Sequence, residues 1–219
     1  MVKLVVFDLD GTLLDTAYSL YLALRDALKD FGVEEPPFEV FKKHIGGGAY
    51  GFIAPFLPPE YHEEALMKLR HYYLTRYIDH PSARPFPGIV ETLERLKEMG
   101  LHLAVATNKI TEGAVRVLER KGLLNFFDVV AGRDLPKEHK PSPEHLFYIL
   151  SALGGDLKPQ NTLMVGDRSD DVECALKSGA YAGYALWGYN EDQLNVKPHF
   201  FIKTPIELPS LVANITRSV

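Results

Sequence analysis

Short apolar stretches alternate along this chain with stretches of helical periodicity, which points to an α/β fold with a mostly parallel sheet. The strand-like stretches fall at 2–7, 101–106, 127–131, 161–165 and 181–186, with a short one near 199–202. Helical spacing occupies 88–99, 112–121, 143–153, 169–178 and 205–216. Several of the strands run into a glycine or a polar turn: Asp8, Thr107-Asn108, Gly132, Gly166-Asp167 and Gly188. Open parallel sheets bind ligands beyond the carboxyl ends of their strands. Those polar residues are therefore site candidates before any motif is considered.

Residues 16–80 break the alternation. They read as helical, with apolar spacing through Tyr18, Leu22, Leu24 and Leu28 and again from Glu60 to Tyr77. Pro36-Pro37, Gly46-Gly47-Gly48 and Pro58-Pro59 divide the segment, and the run from Pro81 to Gly88 reads as a rigid return linker. The expected organisation is a core of residues 1–15 and 81–219 with a helical insertion at 16–80.

A chain of 219 residues, 46% hydrophobic and 24% charged, can bury a core without disulfide staples. Its formal net charge of −5, with no basic block, argues against nucleic acid as a partner. An anionic small substrate stays open, because a local field can oppose the net charge. Cys174 is the only cysteine, which suits a reducing cytoplasm, and its helical surroundings favour a small buried side chain over a nucleophile. No stretch reaches the roughly 18 apolar residues of a membrane span. The apolar start at Met1–Phe7 is too short for a signal segment.

Asp8 and Asp10 follow the first strand and, if strand geometry persists, point the same way. Adjacent buried carboxylates repel, and the usual remedies are a metal or a shared proton. An incidental solvated turn is the alternative. In Gly166-Asp167-Arg168-Ser169-Asp170-Asp171, acids again stand at a strand end. Oxygen donors without His or Cys favour Mg²⁺ over zinc. Asp170 reads as a helix cap, whereas Asp167 and Asp171 read as functional. Thr107 and Asn108 suit a phosphate oxygen or a plain turn. Lys140, just before a helix, suits pairing with phosphate or carboxylate, or plain solvation.

Taken together and in order, "DLDGTLLDT", the Thr of "VATN", the Lys of "HKPSPE" and the acids of "GDRSDD" resemble the four motifs of the haloacid dehalogenase superfamily. The resemblance covers nearly the whole chain. It implies a Rossmann-like core, with residues 16–80 as a type I cap. Ile45 to Gly48 and Leu186 to Asn190 look most like the phosphoglycolate phosphatases of that superfamily.

By that resemblance Asp8 is the nucleophile and forms an aspartyl-phosphate. Asp10 is the general acid and then the general base, with a pKa raised toward neutrality. Thr107 and Asn108 bind the phosphoryl group, and Lys140 neutralises charge. Mg²⁺ is held by the Asp8 carboxylate, the Asp10 backbone carbonyl and Asp167, with Asp171 in support directly or through water. Dehalogenases and phosphonoacetaldehyde hydrolases lack an acid at the Asp10 position, so phosphate esters are implied. Arg168 departs from the serine often found there, which touches substrate preference or outer contacts. In the cap, Gly46, Gly47 and Gly48 either bring backbone N–H groups to a small carboxylate or form a plain loop. Lys42, Lys43 and His44 read as a solvated basic face or as an attractor of anions.

The expected activity is hydrolysis of a small phosphate monoester such as 2-phosphoglycolate. The expected enzyme is a cytoplasmic monomer or homodimer that binds no nucleic acid and no membrane. The alternatives are a phosphatase of pyrophosphate, sugar phosphate or nucleotide, a β-phosphoglucomutase-like isomerase, and a catalytically idle binding relative.

Overall fold

The structure is a computed structural model that describes residues 1–190 and 194–217. In chain order its elements are β1 (Leu4–Phe7), β2 (Leu14–Asp15), α1 (Ala17–Lys29), α2 (Phe38–Lys42), α3 (Gly48–Ile53), α4 (His62–Tyr72) and β3 (Arg84–Pro85). There follow α5 (Ile89–Glu98), β4 (His102–Ala106), α6 (Thr111–Arg120), β5 (Val129–Ala131) and α7 (Glu144–Leu153). The chain closes with β6 (Thr162–Gly166), α8 (Ser169–Ser178), β7 (Tyr181–Ala185), β8 (Phe200–Ile202) and α9 (Leu208–Arg217).

The principal sheet has the order β5-β4-β1-β6-β7-β8, and every pairing in it is parallel. β1 lies in the middle, with Leu4 opposite both His102 and Thr162 and Phe7 opposite both Val105 and Val165. All four β1 residues are buried, as expected of a strand covered on both faces. Alternation sorts them: Val5 and Phe7 join one apolar cluster with α5, α6 and α9, while Leu4 and Val6 join another with α7 and α8. This is the doubly wound arrangement, and its topological switch point lies between β1 and β6. The fold is thus the expected α/β class with a Rossmann-like parallel core.

The helical stretch between β2 and β3 continues the first cluster through Leu20, Leu24, Leu28, Phe41, Phe52 and Leu69. Where the chain leaves and re-enters the core, β2 and β3 form an antiparallel pair, with Asp15 opposite Arg84. Reading the run from Pro81 to Gly88 as linker alone misses this pairing. Two-residue strands are too short to show alternation, and proline is tolerated where no ladder N–H is needed. No helix among the described residues is long and apolar enough to cross a membrane.

Candidate active site

β1 delivers Asp8 to the switch point. The Asp8 N–H donates to the Val165 carbonyl at 2.9 Å, which extends the parallel ladder by one residue and buries the carboxylate. Lys140, from the loop before α7, reaches in from the other side. Its ammonium donates to Asp8 Oδ1 at 2.7 Å and to Asp171 Oδ1 at 2.6 Å, with all three side chains almost fully buried. Among the described residues no side chain hydrogen-bonds the other Asp8 oxygen, and Asp8 lines an adjoining cavity.

Asp171 occupies the first turn of α8, and its Oδ2 accepts the Arg168 N–H at 3.1 Å. Asp170 and Asp171 both stand in the first turn of α8, where acids complement the helix N-terminus, and it is Asp171 that also folds back over the cap N–H. Asp170 is not part of the buried carboxylate group. Asp167, fully buried at the end of β6, accepts the Thr12 hydroxyl and the Tyr189 N–H, both at 2.9 Å. Gly11 lets the loop close over it. At φ +93° it is glycine territory, and a Cβ there would lie 2.5 Å from Asp167 Oδ2.

The ligand atoms of Asp8, Asp167 and Asp171 lie within 4.8 Å of one another. Burial pushes Asp8 up to about 8, with Lys140 opposing and the Asp171 and Asp167 charges adding. Burial, followed by the Asp171 charge, pushes Asp167 up to about 6. Lys140 is raised: burial works against its charge, but Asp171 and Asp8 outweigh it. Fully ionised, three carboxylates against one ammonium would leave two uncompensated negative charges in a buried space, and the raised Asp8 and Asp167 values reflect that excess. An all-oxygen donor set with that imbalance fits a hard divalent cation.

Asp10 sits beside this cluster. It accepts the Thr16 hydroxyl at 2.6 Å, and Lys109 Nζ contacts its two oxygens at 2.9 and 3.2 Å. Lys109 is a residue that sequence reasoning missed. It directly follows Thr107-Asn108, but only the β1–β4 pairing brings it onto an acid 99 positions away. Thr107 Oγ1 accepts the Lys109 N–H at 3.2 Å, which leaves its own hydrogen free for a ligand. Asn108 lines the same cavity. Both of its side-chain amide hydrogens are engaged, on the carbonyls of Gly46 at 3.0 Å and Lys140 at 3.3 Å, so the side chain braces the site, and any donor it offers there is its backbone N–H.

Of the three glycines Gly46, Gly47 and Gly48, the first and last line the cavity and Gly47 does not. A Cβ at Gly48, φ +74°, would lie 2.7 Å from both Asn108 O and Arg133 Nη1, so the helical segment touches the core there through bare backbone. Lys42, Lys43 and His44 stand outside the cavity lining. Lys42 Nζ lies 5.5 Å from the Tyr189 ring centroid, and the Lys43 carbonyl accepts Arg168 Nη2 at 3.3 Å. Arg168 therefore ties the loop after β6 to the helical segment between β2 and β3.

Two more residues hold the frame. His145 Nδ1 accepts the Lys140 N–H at 3.3 Å, and its Nε2 faces the Ala131 carbonyl at 2.9 Å, which together define the Nε2–H tautomer. The Tyr189 hydroxyl donates to Asp15 Oδ1 at 2.9 Å and accepts the N–H groups of Thr16 and Ala17 at 2.7 and 2.8 Å. Cys174 is buried with its Sγ 3.1 Å from the Ser142 carbonyl, and burial pushes its thiol up to about 12, which fits a packing role.

A carboxylate–lysine cluster at the switch point of a doubly wound sheet, under a helical roof, defines an α/β enzyme built to manage concentrated negative charge. The chain belongs to the haloacid dehalogenase-like hydrolase family, whose model matches residues 5–183. It is 36% identical over 212 residues to the phosphoglycolate phosphatase of Aquifex aeolicus, with 97% of each chain covered. It is 33% identical to the phosphoglycolate phosphatase of Caulobacter vibrioides, covering 92% of this chain and 88% of that one. A haloacid dehalogenase-like hydrolase of Streptococcus pneumoniae superposes with a TM-score of 0.86 at 26% identity, covering 96% of this chain and 98% of that one.

Proposed function

We propose that this protein is a Mg²⁺-dependent phosphatase that hydrolyses a small phosphate monoester, 2-phosphoglycolate or a close analogue, through a phosphorylated Asp8. The observation that carries this reading is Asp8 itself. One of its oxygens is held by Lys140 while its carboxylate faces a cavity that also holds Asp10 and Thr107. The relatives named phosphoglycolate phosphatase support the substrate.

In this reading the free oxygen of Asp8 attacks phosphorus as the ester P–O bond breaks. Asp10 gives a proton to the departing alkoxide, then takes one from the water that cleaves the acyl phosphate and frees Asp8. Thr107 donates its hydroxyl to a phosphoryl oxygen. Lys140 neutralises charge shared between Asp8 and the phosphoryl group. The Asp8 carboxylate, the Asp10 backbone carbonyl, Asp167 and Asp171 would hold Mg²⁺, which would supply charge compensation for the phosphoryl oxygens. Residues 16–80 act as a cap that excludes water. The lone buried Cys174 supports a reducing, cytoplasmic setting.

The test is phosphate release from a panel of small esters, with and without Mg²⁺, in the parent and in Asp8→Asn. The expected result is Mg²⁺-dependent release that Asp8→Asn abolishes. Activity surviving in pure Asp8→Asn protein would remove Asp8 from the chemistry.

A further inference from the structure

Tyr73 opens the π-helical turn Tyr73–Tyr77 that follows α4. It is only 4% exposed, yet its hydroxyl makes no hydrogen bond of acceptable geometry, and the neighbouring Lys109 ammonium can only donate to it, which leaves the hydroxyl hydrogen uncommitted. Its ring faces Lys109 Nζ at 4.5 Å from the centroid, and its side chain lines the same cavity as Asp8 and Asp10. Buried polar groups are almost always paired, so an unpaired one on a cavity wall marks a place that a ligand completes. π-Turns inside helices gather at functional sites for a related reason: the wider turn re-aims a side chain.

The surroundings specify what would complete it. The cavity wall also carries the apolar side chains of Leu20, Phe52, Leu69 and Leu74. Arg70 and Arg133 also line the cavity and bias it toward an anion. Burial pushes the Tyr73 hydroxyl up to about 12, so at neutral pH it is a donor.

We propose that Tyr73 determines specificity on the leaving-group side: its hydroxyl donates to a carboxylate oxygen carried beyond the ester oxygen of the substrate. It thereby favours short phosphorylated carboxylic acids over plain alkyl phosphates. This inference rests on the phosphatase reading for the position of the phosphoryl group at Asp8. It adds a residue that reads the other end of the molecule.

The test compares 2-phosphoglycolate with ethyl phosphate, a partner of similar length that lacks the carboxylate. Dissociation constants are measured by calorimetry in the presence of Mg²⁺, for Asp8→Asn and for Asp8→Asn with Tyr73→Phe. The phenylalanine keeps the ring over Lys109 and removes only the oxygen. The preference for 2-phosphoglycolate is expected to fall roughly 10- to 100-fold, as for sites built around one substrate hydrogen bond. An unchanged preference overturns the proposal, whether both affinities fall together or neither falls. So does the absence of any preference when Tyr73 is present. Turnover of the two esters, with Asp8 intact, is followed separately. If no ester is hydrolysed the phosphatase reading fails, while the binding ratio still decides the role of Tyr73.

Discussion

The floor and the roof of the cavity are built by opposite rules. On the floor, Asp8, Asp167, Asp171 and Lys140 are each held by at least one hydrogen bond at 2.6 to 2.9 Å, from partners on different strands and loops. On the roof, the helical segment offers apolar side chains, bare glycine backbone and a tyrosine hydroxyl with an uncommitted hydrogen. In the proposed reaction an ion corrects the charge of the floor whatever ester is present, and the leaving group completes the roof. On that reading chemistry and selectivity belong to two different parts of the chain.

Breaking the floor is expected to cost most. Lys140→Met leaves Asp8 and Asp171 buried without their shared cation. It should lower stability by about 3–5 kcal/mol and turnover by roughly 10³-fold. Denaturant unfolding and phosphate release check both, and a variant of parental stability would show that the cluster is more solvated than its burial indicates.

The next effect is on pH dependence. Burial, followed by the Lys140 charge, lowers His145 to about 4, below its ordinary 6.5. Between those two values the unfolded chain binds the extra proton, so this group's contribution to stability is lost as pH falls from 6.5 toward 4. The loss is at most about 3 kcal/mol. His145→Gln keeps a donor and an acceptor but does not titrate. Its stability relative to the parent should therefore improve at pH 5 compared with pH 7.5. An equal difference at both values would mean that His145 is not the titrating group.

Filling the charge deficit should stabilise the floor alone. Mg²⁺ at 100 times its dissociation constant is expected to add about 2.7 kcal/mol. Asp167→Asn should abolish most of that increment in thermal melts, and retention of the full increment would take Asp167 out of the ion site. The smallest effect belongs to the roof. Gly48→Ala forces a Cβ into a positive-φ position against Asn108 and Arg133, which should cost more than about 1 kcal/mol. Gly47→Ala, whose Cβ would meet only Gly51 Cα at 3.9 Å, should cost little by comparison. Equal costs at the two positions would mean that the roof does not rest on the core at Gly48.

The same division governs what was legible in the sequence. Apolar runs marked the sheet strands to within about two residues, because a strand buried on both faces has no room for polar side chains. The acids of the floor stood out because each follows such a run. What stayed hidden depends on contacts between distant segments. Lys109 resembles any turn lysine until β4 pairs with β1, and Tyr73 is one aromatic within a helical pattern until that helix docks over Asp10. Asn108 was visible as a polar residue at a strand end. The spending of its amide on Gly46 and Lys140 was not, because those carbonyls arrive from elsewhere in the chain.

The hydroxyl of Tyr189 has a consequence for engineering. It holds the backbone at Thr16 and Ala17, from 172 positions away in the latter case, while the backbone of the same residue holds Asp167. The helical segment is therefore not a free cassette. A graft that exchanged residues 16–80 between relatives would cut its seam through a joint fastened from the far end of the chain. Unless the recipient also carried a tyrosine at the matching place, the transplanted roof would arrive without the hydroxyl that fastens its first residues, even though the backbone N–H at that place could still support Asp167.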